Sequence, residues 1–221
     1  MIVIHGTYRS RATRPVWLLL EAGVPFELRR VWQAYRTDAP AGEEAPENTR
    51  SASFLALNPM GSIPVLTDGG LVLTESMAIA LHLARTVGGG LGPRDGAEDA
   101  RMQAWGFFAA TSVEEDALAI RGVYDRGQDA TEEGRAEAAR RAEALRRPFG
   151  ALEARLAREP FAEGGRFTVA DILVAETVRY AQGHAAALEP FPALDAWLRA
   201  AQARPAFQRM WAEREREPLR P

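Results

Sequence analysis

The chain changes character once, at Gly88-Gly89-Gly90-Leu91-Gly92-Pro93, and that change constrains the fold more than any other feature. A glycine triplet followed closely by proline continues neither helix nor strand, so a domain boundary is expected between 88 and 94. Upstream, strand and helix signals alternate. Strand-like runs cover residues 1–5, 26–31, 64–67 and 71–74, and helical spacing covers 15–22, 54–57 and 76–87. The order is βαβαββα, with a hairpin around Asp68-Gly69-Gly70. Downstream the pattern is helical throughout, which makes an α+β chain of two domains, 1–88 and 94–221.

In the second domain Met102, Trp105, Phe108, Ala109, Ser112 and Val113 recur at three- and four-residue steps, as do Ala142, Leu145, Phe149, Leu152 and Leu156. Each set predicts an amphipathic helix, and the arginines and glutamates between 132 and 158 form the wet face of the second. Residues 167–175 are apolar almost without break, as in a helix buried on most sides. Thr168 and Asp171 stand three apart at its start, the spacing of a carboxylate capping box. Two further helices are expected at 193–203 and 205–216, with Trp197, Leu198, Phe207, Met210 and Trp211 facing inward.

Composition removes whole classes of chemistry. The 221 residues contain no cysteine, so disulfides, thiolate metal sites and a protein-borne reactive sulfur are excluded. All 27 basic residues are arginine, which leaves no lysine for a Schiff base or a nucleotide-binding loop. Those 27 stand against 30 acidic residues, so no net positive field exists to hold nucleic acid. No apolar run approaches the roughly 20 residues of a membrane span, and a cytoplasmic enzyme is expected. His5, His82 and His184 are scattered, none at metal-ligand spacing, and each reads as structural.

Asn58-Pro59-Met60-Gly61-Ser62-Ile63-Pro64-Val65-Leu66 is a turn that feeds a proline into a strand, and Glu75-Ser76-Met77-Ala78-Ile79 opens the next helix on a carboxylate and a hydroxyl. Backbone exposed beside Pro64 can pair with an extended ligand, and free amides at the start of a helix attract a carboxylate. Together these features suit a small anionic peptide. With the Thr168-x-x-Asp171 cap, in this order and spacing, they make the chain resemble the cytosolic glutathione transferase superfamily over nearly its whole length, as a bacterial, serine-type-like member.

The resemblance implies a thioredoxin-like first domain, an all-helical second domain and a two-fold dimer. It implies that Pro64 is cis and that the backbone of Ile63 pairs with the cysteinyl part of glutathione, the co-substrate. Glu75 and Ser76 fall on the pair that takes the γ-glutamyl ammonium and carboxylate. Anchored on Arg14, Ser10 falls on the serine that faces the sulfur, with Tyr8 and Thr7 as competitors. Such a hydroxyl acts by donating a hydrogen bond to a thiolate, because a free thiol of pKa near 8.5 is mostly protonated at neutral pH. Arg9, Arg11 or Arg14 would add positive potential. Gln33, Arg36 and Arg50 are candidates for the glycine carboxylate.

The 33–49 loop carries Asp38, Glu43, Glu44 and Glu47 and is longer and more acidic than the resemblance leads one to expect; it either covers the site or is mobile. The electrophile is expected to be small and hydrophobic, bound between the domains near Trp105, Phe108 and Ser112. Conjugation, dehalogenation, isomerisation and glutathione-dependent peroxide reduction all draw on the same thiolate. A non-catalytic binding or interaction module is the alternative of a different class.

Overall fold

A computed structural model describes residues 1–42 and 44–221; Glu43, one of the loop acids singled out above, lies outside the described residues. Two compact units result, one formed by residues 1–92 together with 204–221, the other by 93–203.

In the first unit, strands β1 (Val3–Gly6), β2 (Glu27–Arg30), β3 (Val65–Asp68) and β4 (Leu71–Leu73) form one sheet in the order β2-β1-β3-β4. β1 runs parallel to β2 with Ile4 opposite Leu28, and antiparallel to β3 with Ile4 opposite Leu66. The parallel pair requires a crossover, which helix α1 (Thr13–Ala22) supplies. Helices α2 (Ala52–Leu57) and α3 (Ser76–Thr86) complete the expected βαβαββα order. β1 is buried along its whole length, and Val16, Trp17, Leu18 and Leu19 of α1 are fully buried. Gly23 ends α1 in the left-handed region at φ 67°, with its N–H on the Leu19 and Leu20 carbonyls.

The helix over Pro205–Arg216 belongs with this first unit and not with the helical one. Phe207 meets Trp17 of α1 edge-on at 4.9 Å between centroids and stacks on Trp211 at 5.4 Å. Phe207 and Met210 are buried as expected, whereas Trp211 is only half-buried. The apolar spacing of 205–216 reveals a buried face but not which unit covers it.

The second unit holds α4 (Gly96–Phe108), α5 (Glu114–Asp125), α6 (Glu132–Leu156), α7 (Val169–Val178), α8 (Ala185–Leu188) and α9 (Pro192–Gln202); α10 denotes Pro205–Arg216. α4 and α5 are joined by a π-helical turn, Ala109–Val113, where the sequence predicts one uninterrupted helix. The wider turn rotates the faces on either side. Met102, Ala109, Val113, Ala117 and Ile120 are buried, while Ser112 is exposed.

All ten residues of α7 are buried, and Thr168 and Asp171 form the expected capping box. Asp171 does more than cap: its carboxylate also accepts from the Ala162 amide at 2.8 Å and the Trp197 indole at 3.2 Å. It thereby ties α7 to the preceding loop and to α9. Burial pushes its carboxyl up to about 6, against the pull of these two donors and of the Thr168 amide and hydroxyl. Among the described residues no helix is long and apolar enough to cross a membrane.

Candidate functional site

Each residue singled out for glutathione lies in the first unit, and local chemistry explains how it is placed. Asn58 is 2% exposed, and its side-chain amide donates to the Ser62 carbonyl at 2.7 Å and to the Ser62 hydroxyl at 3.1 Å. Its Oδ1 accepts from the Met60 amide at 3.2 Å, so one side chain closes the whole turn before Ile63. Gly61 is required there: its φ is 59°, and a Cβ would sit 2.8 Å from the Thr49 carbonyl oxygen. The Ile63–Pro64 peptide is cis. β3 begins only at Val65, so the backbone of Ile63 lies ahead of the ladder with β1.

Glu75 occupies the position before α3 with φ 66° and ψ 110°, the only non-glycine residue of positive φ among those described. A conformation of this kind costs on the order of 1–3 kcal/mol and marks a constrained position. The Glu75 side chain is exposed. Ser76 next to it is 4% exposed, and its hydroxyl accepts a hydrogen bond from Arg14 Nη1 at 2.9 Å. Arg14 is itself 1% exposed, inside the apolar run of α1. The sequence suggested Arg14 as one source of potential near a thiol; the structure directs it to Ser76. There it leaves the Ser76 hydroxyl able to donate a hydrogen bond of its own and sets a positive charge beside it.

Ser10 is half-buried in the loop between β1 and α1. Its hydroxyl donates to the Thr7 carbonyl at 2.7 Å and accepts from the Ala12 amide at 3.1 Å, closing the turn that leads into α1. Donation to a ligand therefore requires the hydroxyl proton to leave the Thr7 carbonyl. The competitors are placed differently. Thr7 Oγ1 is buried without a hydrogen-bond partner. Burial, with Glu213 and Glu217 nearby, raises the pKa of Tyr8 and keeps its phenol protonated.

Gly6 brings these parts together. A Cβ built on it would lie 3.1 Å from Ala12 Cβ and 3.7 Å from both Ile63 Cβ and Ser10 Oγ. The absence of a side chain at Gly6 thus lets the Ser10 turn close onto the Ile63 edge. Gly6→Ala is expected to lower unfolding free energy by about 1–3 kcal/mol, because Ala12 is fully buried and has no room to yield. Denaturant unfolding checks this, and a midpoint equal to wild type would contradict it.

The 33–49 loop is anchored at its base. The Trp32 amide donates to the Glu47 carbonyl at 2.9 Å and the Thr49 amide to the Trp32 carbonyl at 2.8 Å. Buried Asn48 donates to the Pro40 and Pro46 carbonyls at 3.0 and 2.9 Å. Of the glycine-carboxylate candidates, Gln33 and Arg36 reach the Arg9 carbonyl at 3.4 and 3.3 Å, whereas Arg50 is exposed. His5 is buried against Thr67 Oγ1 at 3.1 Å, and its pKa is lowered by burial and by Arg29. Among the described residues no group of three or more His, Asp or Glu could hold a metal ion.

Two participants were not singled out by the sequence reading. Glu217, 4% exposed, accepts from the Tyr8 and Arg9 amides, and Arg214 donates to the Tyr8 carbonyl. Their sequence distance from the loop hides them. Arg14's contact with Ser76 had a signal, a charged residue inside an apolar helical run.

Known proteins resemble this chain along both of its parts. Residues 8–86 match the family described as glutathione S-transferase, N-terminal domain, and residues 102–205 match glutathione S-transferase, C-terminal domain. The chain is 31% identical to glutathione S-transferase 3 of Zea mays over 208 residues, which cover 89% of this chain and 86% of the maize protein. It is 36% identical to glutathione S-transferase 3 of Schizosaccharomyces pombe over 115 residues, a match confined to 51% of this chain and 43% of the yeast protein. Among solved structures, the theta class glutathione S-transferase of Xanthomonas axonopodis pv. citri with glutathione bound superposes with a TM-score of 0.69 at 30% identity, covering 94% of this chain and 95% of that one. A four-stranded sheet with helices, followed by a helical region, matched along both parts and at this identity, places the chain in the cytosolic glutathione S-transferase superfamily.

Proposed function

We propose that the protein binds glutathione on its first unit and holds the thiol as a thiolate for attack on a small hydrophobic electrophile, by conjugation, dehalogenation or isomerisation. In this reading Ser10 Oγ donates to the sulfur, and the backbone of Ile63 beside Pro64 pairs with the cysteinyl part. Glu75 takes the γ-glutamyl ammonium, and Ser76 with the first amides of α3 takes its carboxylate. The nucleophile is glutathione's own sulfur, so the reaction is written without a metal. We place the enzyme in the cytoplasm as a homodimer; exposed Met60, Leu71 and Val72 on the first unit give apolar surface for a second copy.

One observation supports the reading most strongly. Buried Arg14 reaches from the helix that follows Ser10 to the hydroxyl of Ser76, so the sulfur end and the γ-glutamyl end of the proposed ligand are fixed to one rigid element. A salt-bridging arginine needs no such serine; an anion-binding serine gains from such an arginine.

Calorimetric titration with glutathione, followed by turnover of a chlorodinitrobenzene, tests the proposal. Binding with turnover is the expected result. Binding without turnover of this or other electrophiles would favour a non-catalytic module, and no heat at millimolar glutathione would remove the ligand itself.

A further inference from the structure

The segment at the end of α10 is bonded to the Ser10 loop more closely than packing alone requires. The Glu217 carboxylate accepts from the Tyr8 amide at 3.0 Å with one oxygen and from the Arg9 amide at 2.8 Å with the other. Arg9 Nε returns a bond to the Glu217 carbonyl at 2.9 Å, and Arg214 Nη1 donates to the Tyr8 carbonyl at 2.6 Å. The Tyr8–Arg9 peptide is thus held on both its donor and its acceptor side, and the Thr7–Tyr8 peptide on its donor side. From the other direction Gln33 and Arg36 approach the Arg9 carbonyl. Arg220 pairs with Asp38 at 3.0 Å and carries the segment across to that same turn.

A carboxylate that receives two backbone amides forms charge-assisted hydrogen bonds, about twice as strong as neutral ones. Both amides precede Ser10, whose hydroxyl in turn takes its geometry from Thr7 and Ala12. We propose that Glu217 is a positioning residue for the thiolate-stabilising loop: by fixing the peptides of Tyr8 and Arg9 it sets where the Ser10 hydroxyl stands relative to the glutathione sulfur. The proposal rests on Ser10 being the group that faces the sulfur. It gives Glu217 a role in catalysis exerted through Ser10 and not through contact with a substrate.

The two possible effects of Glu217 on the bound thiol have opposite signs. As a bare negative charge it would disfavour the thiolate, so its removal would lower the thiol pKa. As a clamp it favours the thiolate through Ser10, so its removal raises that pKa. The charged groups around this junction are Arg9, whose guanidinium meets the Glu217 and Glu215 carbonyls, and Arg214 on the Tyr8 carbonyl, with Glu213, Arg209 and Arg30 acting on Tyr8.

The test compares Glu217→Gln and Glu217→Ala with Ser10→Ala and with Arg220→Ala, which cuts only the pair to Asp38. Bound-glutathione thiolate absorbance is followed against pH, together with kcat and KM for glutathione and hydrogen exchange at the Tyr8 and Arg9 amides. Both Glu217 variants are expected to speed exchange at those amides, raise the thiol pKa and lower kcat at neutral pH by about tenfold. KM for glutathione should stay within about twofold, because Ile63, Glu75 and Ser76 are untouched, and Arg220→Ala should behave as wild type. An unchanged or lowered thiol pKa in the Glu217 variants, with Ser10→Ala raising it, overturns the clamp and leaves Ser10 in place. The same titration in all variants removes Ser10 as the sulfur's partner and the clamp with it.

Discussion

Replacing Ser10 by alanine is expected to leave glutathione bound and to raise the pKa of its thiol. A hydrogen bond to a charged group contributes about 1.5–3 kcal/mol, which corresponds to roughly one to two pKa units. The sign follows from the species stabilised. In the proposed role Ser10 favours the thiolate, so its loss shifts the titration upward and empties the thiolate at neutral pH, about tenfold or more, with recovery above the pKa of a free thiol, near 8.5. The rate of conjugation should fall in parallel near pH 7 and approach wild type at alkaline pH. Because Ser10 also closes the turn into α1 through Thr7 and Ala12, the variant should lose about 1 kcal/mol of stability as well. A pH-independent loss of rate would point to that structural role alone, and an unchanged titration would move the assignment to Thr7 or Tyr8.

The largest effect on folding is expected at Asp171. Its carboxylate satisfies the Ala162 and Thr168 amides, the Thr168 hydroxyl and the Trp197 indole, and the residue is fully buried. Asp171→Ala strands these donors where water does not reach, and unfolding free energy should drop by about 3–4 kcal/mol, measured by denaturant titration of the intact chain. A pH dependence accompanies it. Burial raises the folded-state pKa of Asp171 from 3.8 to about 6, so between these values the native state holds more protons than the unfolded chain. The contribution of this group to stability is therefore greatest below about pH 4 and diminishes as pH rises to about 6. Asp171→Asn has no such proton, and its stability relative to wild type should rise across that interval. A difference that stays flat across that interval would show that the four hydrogen bonds at least offset the burial.

Most of the fold can be read from local pattern because its elements are locally encoded. The βαβαββα order follows from alternating periods and from turns such as Asp68-Gly69-Gly70, and the α7 cap from Thr168 and Asp171 standing three apart. The residues proposed for glutathione stand out in the sequence for the same reason: Ile63-Pro64 and Glu75-Ser76 each form a short motif whose chemistry is contained in neighbouring residues. What escaped depends on distance or on subtle geometry. The hydrogen bonds of the π-helical turn at Ala109–Val113 reach one residue further than those of a regular helix, too small a change for apolar spacing to reveal. α10 displays a buried face to any partner, and only the contact of Phe207 with Trp17 assigns it to the first unit. Glu217 meets Tyr8 across 209 residues, and one more glutamate in an arginine- and glutamate-rich segment carries no local signal.

The most direct test of the central claim is a crystal structure of the protein with glutathione. It should show the sulfur within hydrogen-bond distance of Ser10 Oγ, the cysteinyl backbone on Ile63, and the γ-glutamyl carboxylate on Ser76 with its ammonium at Glu75. Glutathione seated elsewhere, or its sulfur facing Tyr8 or Thr7 with Ser10 still bonded to the Thr7 carbonyl, would contradict it.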